Sequence, residues 1–164
     1  MLGLGFSLTS ISSLGEDFGV NHSLQFDGSN DEVDFTSSGF QTALSASQGN
    51  FKNSGSVSIW ARFDVTNVNG QIWDFAIDTD NRIQLQYKQS TDSLTLTFKG
   101  DANPSEPVQR LATYDPSSGL EGDNTFHHIA CTWDKSVEEL KLYVDGTLRD
   151  TGDLTDIVID GDFD

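Results

Sequence analysis

From residue 20 onward, apolar and polar side chains alternate with a period of two. Ser56-Val-Ser-Ile-Trp-Ala-Arg-Phe63 sets Val57, Ile59, Ala61 and Phe63 on one face, and Ser58, Trp60 and Arg62 on the other. Successive Cβ atoms of a strand point to opposite sides, so this pattern predicts a strand with one buried face. Arg82-Ile-Gln-Leu-Gln-Tyr-Lys88 repeats it with Ile83, Leu85 and Tyr87 inward, and Leu94-Thr-Leu-Thr-Phe98 with Leu94, Leu96 and Phe98. Leu140-Lys-Leu-Tyr-Val144 groups Leu140, Leu142 and Val144. Helical spacing is nowhere as strong.

The turns agree. Asp78-Thr-Asp-Asn81 and Gln89-Ser-Thr-Asp-Ser93 separate alternating runs, and Asp145-Gly146 is a hairpin signal, because glycine accepts the positive φ of a tight turn. The stretch Gly100 to Asn124 carries all three prolines and reads as a long irregular loop. Many short strands between turns predict an all-β fold, a sandwich or barrel.

Charge narrows the function. The 164 residues hold 26 Asp+Glu against 9 Lys+Arg, a formal net charge of −17. Phosphate backbones are neutralised by Lys and Arg, so nucleic acid is excluded as a partner. Apolar runs are only a few residues long, which excludes insertion of a membrane-spanning helix. The single cysteine, Cys131, has no internal disulfide partner. The start, Met1-Leu-Gly-Leu-Gly-Phe-Ser-Leu-Thr-Ser10, is apolar, but no basic residue precedes Lys52, so the positive region of a secretion signal is missing. Residues 1–19 read as a Gly/Ser-rich N-terminal arm, and 20–164 as the domain.

Three ordered segments carry a family resemblance: Ser23-Leu-Gln-Phe-Asp-Gly-Ser-Asn-Asp-Glu-Val-Asp-Phe35, Gly55-Ser-Val-Ser-Ile-Trp-Ala-Arg62, and Phe126-His-His-Ile-Ala-Cys-Thr-Trp-Asp134 followed by Leu140-Lys-Leu-Tyr-Val-Asp-Gly146. Their order and spacing over residues 22–152 resemble the laminin-G-like, concanavalin-A-like lectin/glucanase domain. The resemblance implies a jelly roll of two antiparallel sheets, one concave. Phe126 stands where the family usually has Trp. The family's closing strand has no clear counterpart before Asp160-Gly-Asp-Phe-Asp164, so an open sheet edge is expected, inviting a partner strand from another chain.

Catalysis is the first chemistry to weigh. Glucanase relatives use a Glu-x-Asp-x-(x)-Glu strand, and none of the six glutamates here begins one. His127 and His128 are adjacent, so on a strand they face opposite ways. His127 reads as a hydrogen-bonded residue at the core's edge, and Cys131 as a small buried hydrophobe. We therefore expect no enzyme.

Calcium takes hard oxygen ligands from loops, and the resemblance implies an ion at the sheet rim. The candidate clusters are Asp27/Asn30/Asp31, Asp78/Asp80/Asn81 and Asp160/Asp162/Asp164. Each also fits plain turn chemistry. For sugar, Trp60 and Arg62 with Gln84, Gln86 and Lys88 form a candidate surface, flanked by Thr95 and Thr97, in which an aromatic ring stacks on sugar while polar groups bond its hydroxyls. Seven aspartates and only Arg149 as a basic residue, between Asp145 and Asp164, predict a solvated acidic edge, with Ile157-Val-Ile159 as a short strand.

The expectation is a non-catalytic structural or surface-display module. The Gly-rich start, the scarcity of Cys and Lys and the shortened domain resemble virion proteins of marine phages, implying a capsid decoration or tail-fibre component at a virion surface or in another extracellular setting. It joins other protein chains through the arm or the open edge. The alternative is a calcium-dependent, lectin-like module that binds glycans.

Overall fold

The alternating runs become strands of two antiparallel sheets. The computed structural model describes residues 50–63, 69–102, 106–116, 120, 125–161 and 163, with 24, 26, 31–34 and 44 upstream. Among these, nine strands run in order: β1 (Ser54–Ala61), β2 (Gly70–Ala76), β3 (Arg82–Lys88), β4 (Ser93–Ala102), β5 (Glu106–Tyr114), β6 (His127–Asp134), β7 (Glu139–Val144), β8 (Thr147–Asp153) and β9 (Ile157–Val158). One sheet has the order β1-β6-β7-β8. The other has β2-β3-β4-β5, and β9 adds to β4 at Asp101 and Ala102.

The inward sets meet in a single core. Ile83, Leu85, Leu94, Leu96 and Phe98 from one sheet pack against Ile129, Cys131, Trp133, Leu140 and Leu142 from the other. Val57 and Ile59 on β1 are half-buried and packed onto this core. At one end Phe51, Phe75, Trp133 and Phe163 stack edge to face, with the Phe51 and Trp133 centroids 4.7 Å apart. The Trp133 indole donates to the Phe51 carbonyl at 2.7 Å, so the buried N–H is satisfied. Gly55 lies against this pair; a Cβ there would sit 2.5 Å from the Trp133 ring.

Asp145 and Gly146 both take positive φ, 52° and 74°, as a two-residue hairpin turn between right-twisted strands requires. The predicted loop from Gly100 to Asn124 is corrected by the structure. Its first half is the end of β4 and the whole of β5, paired from Leu94↔Tyr114 to Ala102↔Glu106. The alternation was hidden there because Arg110 and Ala112 hold inward register positions, opposite Phe98 and Leu96, while Leu111 lies outward, opposite Thr97. Pro107 is tolerated at the start of a strand that has only one ladder neighbour among the described residues.

The two sheets join along β5 and β8. Gly152 allows a backbone approach that a side chain would block, since a Cβ there would lie 2.5 Å from the Leu111 carbonyl oxygen. A bulge opposite Leu142 and Tyr143 turns Asp150 toward β5, where its carboxylate accepts the Thr113 N–H at 2.7 Å. The same region lays the Arg149 guanidinium 4.6 Å from the Tyr114 ring centroid.

Candidate functional site

The two-layer build decides which predicted site residues meet. Trp60 and Arg62 look outward from the four-stranded sheet. Gln84, Gln86 and Lys88 alternate with buried Ile83, Leu85 and Tyr87, and look outward from the five-stranded sheet. The predicted single sugar surface is therefore corrected: its two halves lie on opposite sides of the molecule, because strands with similar alternation were assigned to different layers.

On the four-stranded sheet, Trp60 is 63% exposed, unusual for so large an apolar side chain. It pairs in register with His128, and the two rings lie 5.1 Å apart at 45°. Beside them the Arg62 guanidinium stands 5.5 Å from the centroid of the exposed Phe126 ring. Across the sheet, Ala130 pairs with Tyr143, and Tyr143 with Leu148, itself exposed. His128 is held from behind. Its N–H donates to Asp145 Oδ1 at 2.9 Å, while Asp145 Oδ2 lies 2.8 Å from His127 Nδ1. The bond with His127 holds the Asp145 carboxyl below the usual carboxylate range. As expected, His127 is a hydrogen-bonded residue at the core's edge.

The far end of the same face is acidic. Asp134, Glu139 and Asp153 stand directly opposite one another across β6, β7 and β8. Glycoside hydrolysis needs one carboxyl kept protonated. Ser136 bonds hold Asp134 down, Thr155 bonds hold Asp153 down, and Glu139 pairs with Lys141 at 2.5 Å. Among the described residues, the carboxyl shifted upward is Asp74, through burial, and it lies on the opposite outer face.

The five-stranded sheet presents a hydrogen-bonding surface. Gln71 Nε2 donates to Gln84 Oε1 at 2.7 Å and to Asp74 Oδ2 at 2.9 Å, and Arg82 bonds the same Asp74 oxygen at 3.0 Å. Gln71 and Asp74, an odd number of residues apart, share a face because a bulge intervenes before Trp73. Thr97 and Thr95 pair with Gln84 and Gln86 and are only 5% and 7% exposed, although they face away from the core.

For the calcium candidates, Asp78 Oδ1 accepts the N–H groups of Asp80 and Asn81 at 2.7 and 2.8 Å, and Asp80 pairs with Lys99 at 2.6 Å. The turn donors hold the Asp78 carboxyl below its ordinary range. Asn81 also receives the Asp160 N–H at 2.9 Å, which fastens the C-terminal segment to this turn. Among the described residues no group of three or more His, Cys, Asp or Glu side chains is arranged to hold a metal ion. Asp27, Asn30, Asp162, Asp164 and the 1–19 arm lie outside the described residues; Asp31 is half-buried.

The order of motifs, the two sheets and the core agree with one further finding, a match over residues 27–163 to the concanavalin A-like lectin/glucanases superfamily. The chain belongs to that superfamily. Within it, laminin-G-like domains such as this one are generally non-catalytic binding modules, of the carbohydrate-binding or adhesion type. No curated protein matches the chain. The superfamily match extends through β9, Ile157–Val158, so the C-terminal segment belongs to the domain. His128, Phe126 and Tyr143 join Trp60 and Arg62 at the aromatic end of the four-stranded sheet; the signal for them in the sequence is the outward parity of their strands.

Proposed function

We propose that this domain is a non-catalytic glycan-binding module of the adhesion or surface-display kind, and that sugar docks on the four-stranded sheet around Trp60. The exposed indole beside His128 carries the reading. A flat ring at the surface stacks on the C–H face of a sugar, and Ser58 and Arg62, outward on the same strand run, and Tyr143, in register with Ala130 on the same sheet face, supply hydrogen-bonding groups for ring substituents. Its setting in this reading is an outer surface, of a virion or a cell, where a net charge of −17 keeps copies apart until they are tethered. Residues 1–19 supply the tether to other chains. The test is a printed array of neutral oligosaccharides probed with the whole chain and with Trp60→Ala. Binding that weakens about tenfold or more in the variant supports the reading. Equal binding by both proteins, with unchanged melting, would remove Trp60 from the site.

A further inference from the structure

Residues 154–161 and Phe163, which follow β8, are held differently from the strands around them. Their ladder is short: β9 meets β4 through Asp101↔Val158 and Ala102↔Ile157. Side chains do the rest. Leu154, Ile157, Ile159 and Phe163 are buried in the core, Phe163 against the Phe51 and Phe75 rings. Three of the chain's nine Lys and Arg residues donate to main-chain carbonyls of this segment. Lys135 Nζ donates to Leu154, Arg110 Nη2 to Thr155 at 3.2 Å, and Lys52 Nζ to Gly161 at 2.5 Å. In the other direction, Asn81 Oδ1 accepts the Asp160 N–H and the Glu138 carbonyl accepts the Leu154 N–H, each at 2.9 Å. Gly100 leaves room for the segment, since a Cβ there would lie 2.2 Å from the Val158 carbonyl oxygen.

Pockets for spaced apolar side chains, with hydrogen bonds to the main chain, are how a sheet binds an extended peptide. The sandwich body thus holds its own segment as it would hold a ligand. It reads carbonyls and N–H groups, while the Asp156 and Asp160 side chains stay exposed. The same segment of another copy therefore fits the slot equally well.

The connection to β8 is a tight reversal. The Thr155 N–H and hydroxyl both bond Asp153 Oδ1, at 2.7 and 2.6 Å, and Asp156 takes φ 57°. That left-handed backbone is costly for a residue with a Cβ. Straightening the connection relieves the cost and carries the segment away from its own body.

From these observations we infer that the slot is an interaction site for a second copy of this chain. The segment opens at Thr155 and Asp156 and seats in the partner copy's slot, and the partner's segment returns the exchange, giving a two-fold dimer. Within one chain the segment is present at an effective concentration on the order of millimolar, so the closed monomer prevails in dilute solution. Two bodies of net charge −17 also repel each other. Crowding and salt, which shortens the reach of that repulsion, favour exchange. None of this depends on glycan binding.

The test is size-exclusion chromatography with light scattering on the whole chain and on two substitutions at the hinge, outside the slot. Proline fixes φ near −65° and turns the residue before it extended, so Asp156→Pro cannot make the reversal and should run as a dimer. Asp156→Gly accepts the positive φ and should stay monomeric even when concentrated. The wild type should be monomeric when dilute and gain a dimer fraction on concentration in about 1 M salt. Mixing then identifies exchange as the cause. Added to Asp156→Pro, Gly100→Ala blocks the slot and Ile157→Asp spoils the segment, so each double variant alone should lose the dimer. Combined in equal amounts, the two should form a mixed dimer, seen by native mass spectrometry, in which an intact slot holds an intact segment. An Asp156→Pro chain that stays monomeric overturns the exchange. So does a dimer that persists in either double variant alone, or a mixture that yields no mixed dimer.

Discussion

Asp145 and His127 form the lock behind the candidate site. The carboxylate lies 2.8 Å from His127 Nδ1, and its other oxygen accepts the N–H of His128, whose ring faces Trp60 at 5.1 Å. A residue of the β7–β8 turn thus fixes the start of β6, where His128 stands beside Trp60 of β1.

Asp145→Ala removes both bonds and leaves a non-glycine side chain at φ 52° without local support. We expect a loss of about 2 kcal/mol in urea unfolding, from roughly 1 kcal/mol for each bond, and weakened glycan binding with it. The carboxyl is held low in the fold, so the stability it contributes is complete above the ordinary carboxylate range and fades as pH falls through its lowered value. The variant's deficit should therefore shrink in strong acid; a deficit constant with pH would contradict the lock. Gly146→Ala, at φ 74°, should cost about 1–2 kcal/mol in the same measurement.

Asp74 runs the other way. Burial raises its carboxyl above the ordinary 3.8, against the pull of Arg82, so the native state binds more protons than the unfolded chain between the two values. Stability attributable to this group falls as pH rises through that window. Asp74→Asn should gain on the wild type over the same interval and hold a constant difference above it. Urea midpoints across a pH series check this, and a difference that narrows with rising pH would refute it.

Gly55→Ala tests the aromatic end of the core. The added methyl meets the Trp133 ring at 2.5 Å and the Phe51 ring at 2.9 Å, and Trp133 is buried and tied by its N–H to the Phe51 carbonyl. Overpacking of this kind costs about 1–3 kcal/mol, measured as a lower thermal midpoint.

Cys131 is fully buried, and burial pushes its thiol up to about 12. Iodoacetamide should label it at the rate of chain opening in native buffer and promptly in denaturing urea. Prompt labelling of the folded protein would show that β6 is not sealed into the core.

Asp78→Ala should lower the thermal midpoint equally in calcium and in chelator, because the oxygen it removes serves the backbone of Asp80 and Asn81. A larger loss in calcium would assign an ion to that turn.

Alternation made the layers legible. Ile83, Leu85, Leu96 and Leu142 are all buried as their parity requires, and Asp145-Gly146 is the turn its residues demand. Layer assignment was not legible, because parity says which side chains share a strand face and nothing about which strands share a sheet. Hence the alternation alone puts Trp60 and Gln84 together, and the structure separates them. Bulges hid the rest: Gln71 with Asp74 and Asp150 toward Thr113 depend on one inserted residue each, which shifts the register without marking the sequence. Strand β5 carries no clear alternation because Arg110 stands inward while Leu111 faces out.

The contact between Asp150 and Thr113 has a bearing on how copies of this protein fail. A backbone N–H on the margin of a sheet is a template on which stray chains nucleate fibrils, and here a carboxylate already occupies one, with Gly152 drawing the neighbouring layer close over it. Replacing Asp150 with alanine unplugs that position, and fibril growth on storage should quicken from this flank while the thermal midpoint of the fold changes little.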